Sequence, residues 1–324
     1  MSRKCIVTML SLALLFLAGC STSAPQKPSP GVQNTQQLLK IGVLPIEDNL
    51  PFYVAENDKL FEQKGLKVTL VAFPSAKERD AAMQAGQIDG EVADLVAVAL
   101  LKKGGTDVKV AAVGLGATPQ EGRFALLSSP NSKIRTASDL KNAKVAISEH
   151  SIIEYVTDQL VKNARLDPTS ISKVSIPNIP VRMQMLTASQ IDTAVLPDPL
   201  ATVAEKQGAH VILDDTKIDK NLSQTVILFR QDSISKNKES IRQLVQVYGE
   251  AGAALSQNRT KYRPLFLEKK IVPEPLKDTY QAPSFSKLQL PKEADVAAVM
   301  AWMVETKLLP QAYNYQELVD SSLL

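Results

Sequence analysis

The residues of this chain that could do chemistry sit in short polar loops, each following a β-branched run. Pro45-Ile46-Glu47-Asp48-Asn49-Leu50-Pro51 places three polar side chains between two prolines. Ser75 follows a second run and Asp94 a third. Ser148-Glu149-His150-Ser151 lies between a strand pattern and a helix pattern, Arg182 follows Pro180 at a helix start, and Asp198 stands between Pro197 and Pro199. Carboxylates, hydroxyls and a guanidinium suit non-covalent recognition, since they donate or accept hydrogen bonds and a guanidinium can fork onto a carboxylate or sulfonate. Each has a structural use as well. Asp48, Asn49, Ser75 and Asp198 are natural helix caps, Arg182 could serve a salt bridge, and His150 could be a surface histidine. Glu47, Asp48, Asp94, Glu149 and Asp198 are acidic, whereas only Arg182 and Arg123 are basic. That negative rim suits a ligand with hydrogen-bond donors or positive charge better than nitrate or bicarbonate.

Nothing orders these groups for covalent chemistry. The sequence has no GxSxG elbow, no HExxH and no GxxxxGK[ST], and His150 and His210 are 60 residues apart. Gly114-Leu115-Gly116-Ala117-Thr118-Pro119 begins like a dinucleotide loop but carries proline in place of the final glycine. Two His and two Cys leave little for a transition-metal site. The expectation is a protein with no catalytic residues, no metal and no cofactor; an exported enzyme and a metal-binding lipoprotein are the rivals. Lys+Arg is 37 against Asp+Glu 34, and the pairs Lys102-Lys103 and Lys269-Lys270 are isolated. No nucleic acid is expected as partner, because such binders cluster a basic excess.

Arg3 and Lys4 precede an apolar run, Ile6 to Gly19, that is shorter than the roughly 20 residues a bilayer span needs. Leu17-Ala18-Gly19-Cys20 looks like a bacterial lipobox. Residues 1–19 then read as a signal peptide and Cys20 as the lipidated mature N-terminus, on a polar tether over 20–37. The mature chain would hold no free thiol and no disulfide. A lipid anchor would fix it to the membrane on the extracytoplasmic face of the cell envelope, as a monomer.

Elements must hold the polar loops in place. From Leu38 onward, β-branched runs alternate with helical patterns, which predicts an α/β fold with largely parallel sheets. Strands are expected at Leu39–Leu44, Val68–Phe73, Gly90–Val92 and Val108–Val113. A second set follows at Lys144–Ser148, Lys173–Ile176, Thr193–Leu196 and His210–Leu213. Ser75 with Glu78 and Ser151 with Glu154 read as capping boxes. Gly86-Gln87-Ile88-Asp89 resembles Ser189-Gln190-Ile191-Asp192 at a displacement of 103, and Lys40-Ile41-Gly42-Val43 resembles Lys144-Val145-Ala146-Ile147 at 104. Two similarly built lobes follow: lobe 1 from 38–126 and 226–324, lobe 2 from 127–225. Crossing strands are expected near Phe124–Ser128 and Thr225–Phe229, with a helix over 237–256 and later helices rejoining lobe 1. Two lobes on two strands make a hinge that closes on a ligand.

The runs Ile41-Gly42-Val43-Leu44-Pro45, Pro51-Phe52-Tyr53-Val54-Ala55-Glu56, Ala85-Gly86-Gln87-Ile88-Asp89-Gly90 and Ala137-Ser138-Asp139-Leu140-Lys141 carry a family likeness. The chain resembles the solute-binding proteins of bacterial ABC importers, with a two-lobed type-2 periplasmic-binding-protein fold. Within them it is similar to the nitrate/taurine/sulfonate group, which includes binders of thiamine pyrimidine precursors. The resemblance implies a small-molecule ligand, a membrane permease with a cytoplasmic ATPase as partners, and ligand contacts from hydroxyls and backbone N–H groups near Ser148. The pyrimidine-synthesising relatives carry a cysteine-rich motif that is missing here, so their catalysis is not implied. A nitrogenous ring such as a pyrimidine-like precursor is the favoured solute, with a sulfonate, nitrate or similar anion as alternative.

Overall fold

The computed structural model describes residues 38–324; the expected signal peptide, Cys20 and the tether lie outside the described residues. The first strand, β1 (Leu39–Val43), leads through a single 3-10 turn at Glu47–Asn49 into α1 (Leu50–Asn57) and the short α2 (Leu60–Gln63). Then come β2 (Val68–Ala72), α3 (Ala76–Gln84), β3 (Gly90–Asp94), α4 (Leu95–Lys103) and β4 (Val108–Val113). The order repeats after β5 (Phe124–Ser128): β6 (Lys144–Ile147), α5 (Ile152–Asn163), β7 (Ser172–Ser175), α6 (Ile179–Thr187), β8 (Thr193–Pro197), α7 (Leu200–Lys206) and β9 (His210–Asp214). The last part holds β10 (Thr225–Arg230), α8 (Gln231–Gln257), α9 (Arg263–Glu268), α10 (Glu293–Glu305) and α11 (Tyr315–Leu318). The helix expected over 237–256 is the longer part of α8, whose backbone departs from helical geometry at Asn237 (φ −135°, ψ 30°).

Two five-stranded sheets form, in the orders β2-β1-β3-β10-β4 and β7-β6-β8-β5-β9. In each, three parallel strands are joined by an antiparallel fourth. Helices cover both faces, and every residue of β3, β5 and β8 is buried; β5 and β8 are mostly apolar, whereas β3 buries the acids Glu91 and Asp94. The internal likeness in sequence is a likeness in register. Ile41 pairs with Gly90 in one sheet and Val145 with Thr193 in the other, which preserves the displacements of 104 and 103 residues.

The segments expected to cross between lobes are strands committed to one sheet each: β5 lies in the second and β10 in the first. The chain therefore passes between sheets at 114–123 and 215–224, and the expected boundaries at 126/127 and 225/226 fall inside β5 and β10. The first passage is bonded to the second, where the Asn221 amide donates to Gly116 O at 2.6 Å, and to the start of β10. Gly114 N–H donates to the Thr225 carbonyl at 2.8 Å and Thr225 N–H to that of Leu115 at 2.9 Å. Gly116 holds φ +80°, and a Cβ there would sit 3.0 Å from Gln224 Cα. The glycine pair that looked like a dinucleotide loop thus allows two backbones to cross closely.

Candidate functional site

Strand ends of both sheets, with the helix starts that follow them, meet in a cleft, where open α/β sheets bind ligands. Its inner chamber, about 30 Å³, is lined on the first-sheet side by Asp48, Arg79, Asp94 and Thr225, and on the other by Phe124, Ser148, Ser151, Ile152 and Ile179. It shares Ala76, Ser148, Ser151 and Pro177 with an outer chamber of about 510 Å³, where Lys77, Asp80 and Gln84 face Glu149 and His150. On another side, Glu47, Asp198, Thr202 and Tyr280 border a space of about 120 Å³.

The proline-flanked loop positions Asp48. The turn at Glu47–Asn49 buries Asp48 and Asn49 together, and neither side chain caps α1. Asn49 is fully buried and spends its amide N–H on the Asp48 carboxylate. Tyr248, from α8, donates to the Asp48 carbonyl at 2.6 Å. Burial pushes the Asp48 carboxyl up to about 7 and Asp94 adds to the rise, while the Arg79 cation opposes it. Asp94 caps α4 by accepting from Val96 N–H and Ala97 N–H, both at 2.9 Å, and burial takes it to about 6. Glu47 accepts from the Tyr280 hydroxyl at 2.9 Å and rises to about 8, first through burial and then through Asp198.

Arg79 was not singled out from the sequence, because Lys77-Glu78-Arg79-Asp80 reads as a solvated helix face. It is 2% exposed and donates to the Val92 carbonyl at 2.6 Å and to Asp80 at 2.7 Å. Glu91, also missed, is fully buried and lies 3.4 Å from its Nε. Asp80 already compensates the guanidinium, so burial dominates and lifts Glu91.

Arg182 is the counterpart of Arg79 at the same displacement of 103 residues. Its guanidinium donates to Val195 O at 2.9 Å and Ile176 O at 2.6 Å, as Arg79 does to Val92 O. The places of Asp80, Glu91 and Asp94 are taken by Met183, Ala194 and Pro197. Among the described residues Arg182 therefore forms no ion pair; it is fully buried, and burial pushes it down to about 9. It lines neither cleft chamber, which differs from the fork onto a ligand carboxylate or sulfonate that its position suggests.

The remaining residues divide between cap and cleft. Ser75 accepts from Glu78 N–H and donates to the Glu78 carboxylate. Ser75→Ala should lower the unfolding free energy by about 1 kcal/mol in urea titrations and leave ligand affinity unchanged, since Ser75 lines neither chamber. Ser148 is buried and lines both chambers. Exposed Glu149 and His150 border only the outer one. Glu154 receives the N–H of His150, not that of Ser151, so the expected capping box is displaced by one residue, while Ser151 accepts from Ile153 N–H. Asp198 accepts from both Thr202 N–H and its hydroxyl at 2.9 Å, one residue further out than a standard N-cap. Arg123 pairs with Glu205 at 2.7 Å and Asp214 at 2.9 Å and lies 3.6 Å from Asp198, so its charge is spent at the border of the cleft.

Residues 33–264 match the model of the NMT1-like family. The chain belongs to that family. An ABC transporter periplasmic binding protein of Brachyspira hyodysenteriae is 27% identical to this NMT1-like chain over 267 residues, covering 78% of the chain and 74% of the relative. The ligand-binding component of an ABC-type import system from Staphylococcus aureus, solved with zinc bound, superposes with a TM-score of 0.73 at 17% identity, over 89% of this chain and 98% of that one. The periplasmic aliphatic sulphonate binding protein of Escherichia coli gives 0.71 at 20% identity, over 88% and 92%. The family member thus has the two-lobed periplasmic-binding-protein fold, with its chambers where the sheets meet. Among its described residues no helix is long and apolar enough to cross a membrane.

Proposed function

We propose that the protein is the extracytoplasmic solute-binding component of an ABC import system. It closes two lobes on a small organic solute and presents the closed form to a membrane permease driven by a cytoplasmic ATPase. The favoured solute is a nitrogenous ring of pyrimidine-like kind, bearing hydrogen-bond donors or a positive charge. The observation that carries this is the Asp48–Asp94 pair in the inner chamber, opposite lobe-2 residues that bring hydroxyls and apolar surface without a charge. Among the described residues, the one cation lining that chamber, Arg79, is already bonded to Asp80 and Val92. A cationic or amine-bearing group would satisfy the carboxylates directly. Capture requires no covalent step; closure supplies the energetics through population shift. Cys20 would tether the monomer to the membrane through lipid.

A second reading, an anionic ligand such as a sulfonate, is favoured by the likeness to the sulphonate binding protein and by Arg79 at the chamber wall. A thermal-shift panel of aminopyrimidines, sulfonates, nitrate and divalent metals separates the two. At about 100 times its Kd a ligand adds roughly 2.7 kcal/mol, a shift of several degrees. Stabilisation by the aminopyrimidines is expected. Stabilisation by sulfonates or nitrate alone would replace the nitrogenous-ring reading with the anionic one, and stabilisation by a metal alone would replace both.

A further inference from the structure

The helix α10 is tied to the first lobe by the segments before and after it, yet grips the other lobe through its last turn. Before it, Val113 at the end of β4 donates its N–H to Gln289 O at 2.8 Å. After it, Lys103 of α4 donates to Leu308 O at 2.7 Å, and Val319 bridges Val110 of β4. The helix body packs on α4. On the far side its side chains enter lobe 2. Trp302 is 2% exposed and donates Nε1–H to Asp158 of α5 at 3.0 Å, and its ring meets that of Tyr155 edge-on at 5.3 Å. Asp158 is held in turn by Lys173 of β7 at 2.8 Å. One turn along, Glu305 pairs with Lys162 at 2.9 Å.

We propose that α10 is a clasp between the lobes and that Trp302, which lines neither cleft chamber, sets the balance of open and closed forms and thereby ligand affinity. Separating the lobes pulls the indole from its apolar seat and strips a buried carboxylate of a donor. Every solute that binds the closed form inherits this bias, because apparent affinity scales with the closed fraction. The clasp rests on the two-lobed architecture and needs no particular ligand, so it is tested without one.

Trp302 is the single tryptophan of the chain, so its emission reports the clasp directly. In the ligand-free protein, acrylamide should quench Trp302 far less than in the denatured chain; equal quenching would overturn the proposal. Trp302→Phe should enlarge the radius of gyration in solution scattering and speed amide exchange in α5 and α10, with the sheets protected as before. A lower melting temperature with both readouts unchanged would make Trp302 a core side chain and no clasp. Glu305→Lys alters an exposed pair, carries no risk to folding, and keeps the reporter. It should raise quenching of Trp302 about twofold, the scale of an exposed ion pair; unchanged quenching counts against the clasp even where Trp302→Phe does not fold.

Discussion

Asp48→Asn is expected to weaken capture of an amine-bearing ring by a factor of roughly 30 or more while making the ligand-free protein more stable at pH 8. The two effects have one origin. Asp48 is 3% exposed, and burial raises its carboxyl from 3.8 to about 7, so at pH 8 the folded chain holds an ionised group that water would solvate better. A rise of that size corresponds to roughly 4 kcal/mol as an upper bound. Asparagine is uncharged and nearly isosteric, so it removes that penalty. A bound cation would otherwise have offset it, and losing one partner of a buried charge pair costs about 2–5 kcal/mol, or a factor of roughly 30 to several thousand. Calorimetric titration with an aminopyrimidine, beside urea unfolding of the ligand-free chain, checks both halves. If stability and affinity fall together, Asp48 is a structural residue. If stability rises and affinity holds, the ligand does not reach it.

The parts of this molecule that could be read locally were those with a short-range cause. Alternation of β-branched runs and helical patterns located the strands, because a parallel strand buried on both faces is mostly apolar; β3, with Glu91 and Asp94 buried, departs from that pattern. The displacement of 103–104 residues announced two similar sheets. Asp48, Asp94 and Ser148 were found because they end or follow strands, and the chambers lie at strand ends. What escaped notice depends on contacts remote in sequence. Arg79 sits among Lys77, Glu78 and Asp80, and nothing nearby shows that it turns inward to Val92. Comparing it with Arg182 at the same displacement would have exposed it, since both bond the carbonyl 13 residues on. Tyr280 reaches Glu47 across 233 residues and Trp302 reaches Asp158 across 144, and no periodicity encodes such meetings. The crossing of the chain was assigned to β5 and β10 because strands are visible in sequence. The irregular passages that cross, at 114–123 and 215–224, are not.

The same buried acids predict an unusual pH profile. Without ligand, the protein should lose stability as pH rises from about 5 to 8, and Asp48→Asn and Glu47→Gln should each flatten the slope. Burial raises Glu47 from 4.5 to about 8, Asp48 from 3.8 to about 7, Asp94 from 3.8 to about 6, and Asp215 from 3.8 to about 7. The folded state therefore keeps protons that the unfolded chain has already released. Stability falls with pH wherever the folded state binds more protons, so the contribution is full below pH 4 and lost as pH climbs through 6 to 8. Opposing it, Asp58, Asp139, Asp167, Asp214 and Asp232 are lowered, by hydrogen bonds and nearby cations. They add stability above pH 4 that acid removes, but all except Asp214 lie near or at the surface, where such gains are small. The balance places the maximum near pH 4. A cationic solute reverses the trend in the upper range, because it binds the ionised form of Asp48 and affinity grows as that group releases its proton. Calorimetric melting at pH 5, 6, 7 and 8, with and without a stabilising aminopyrimidine, checks both signs. A ligand-free melting temperature that rises over this range would mean that the cleft acids are solvated or paired in solution, and the case for a donor-bearing ligand would fall with it.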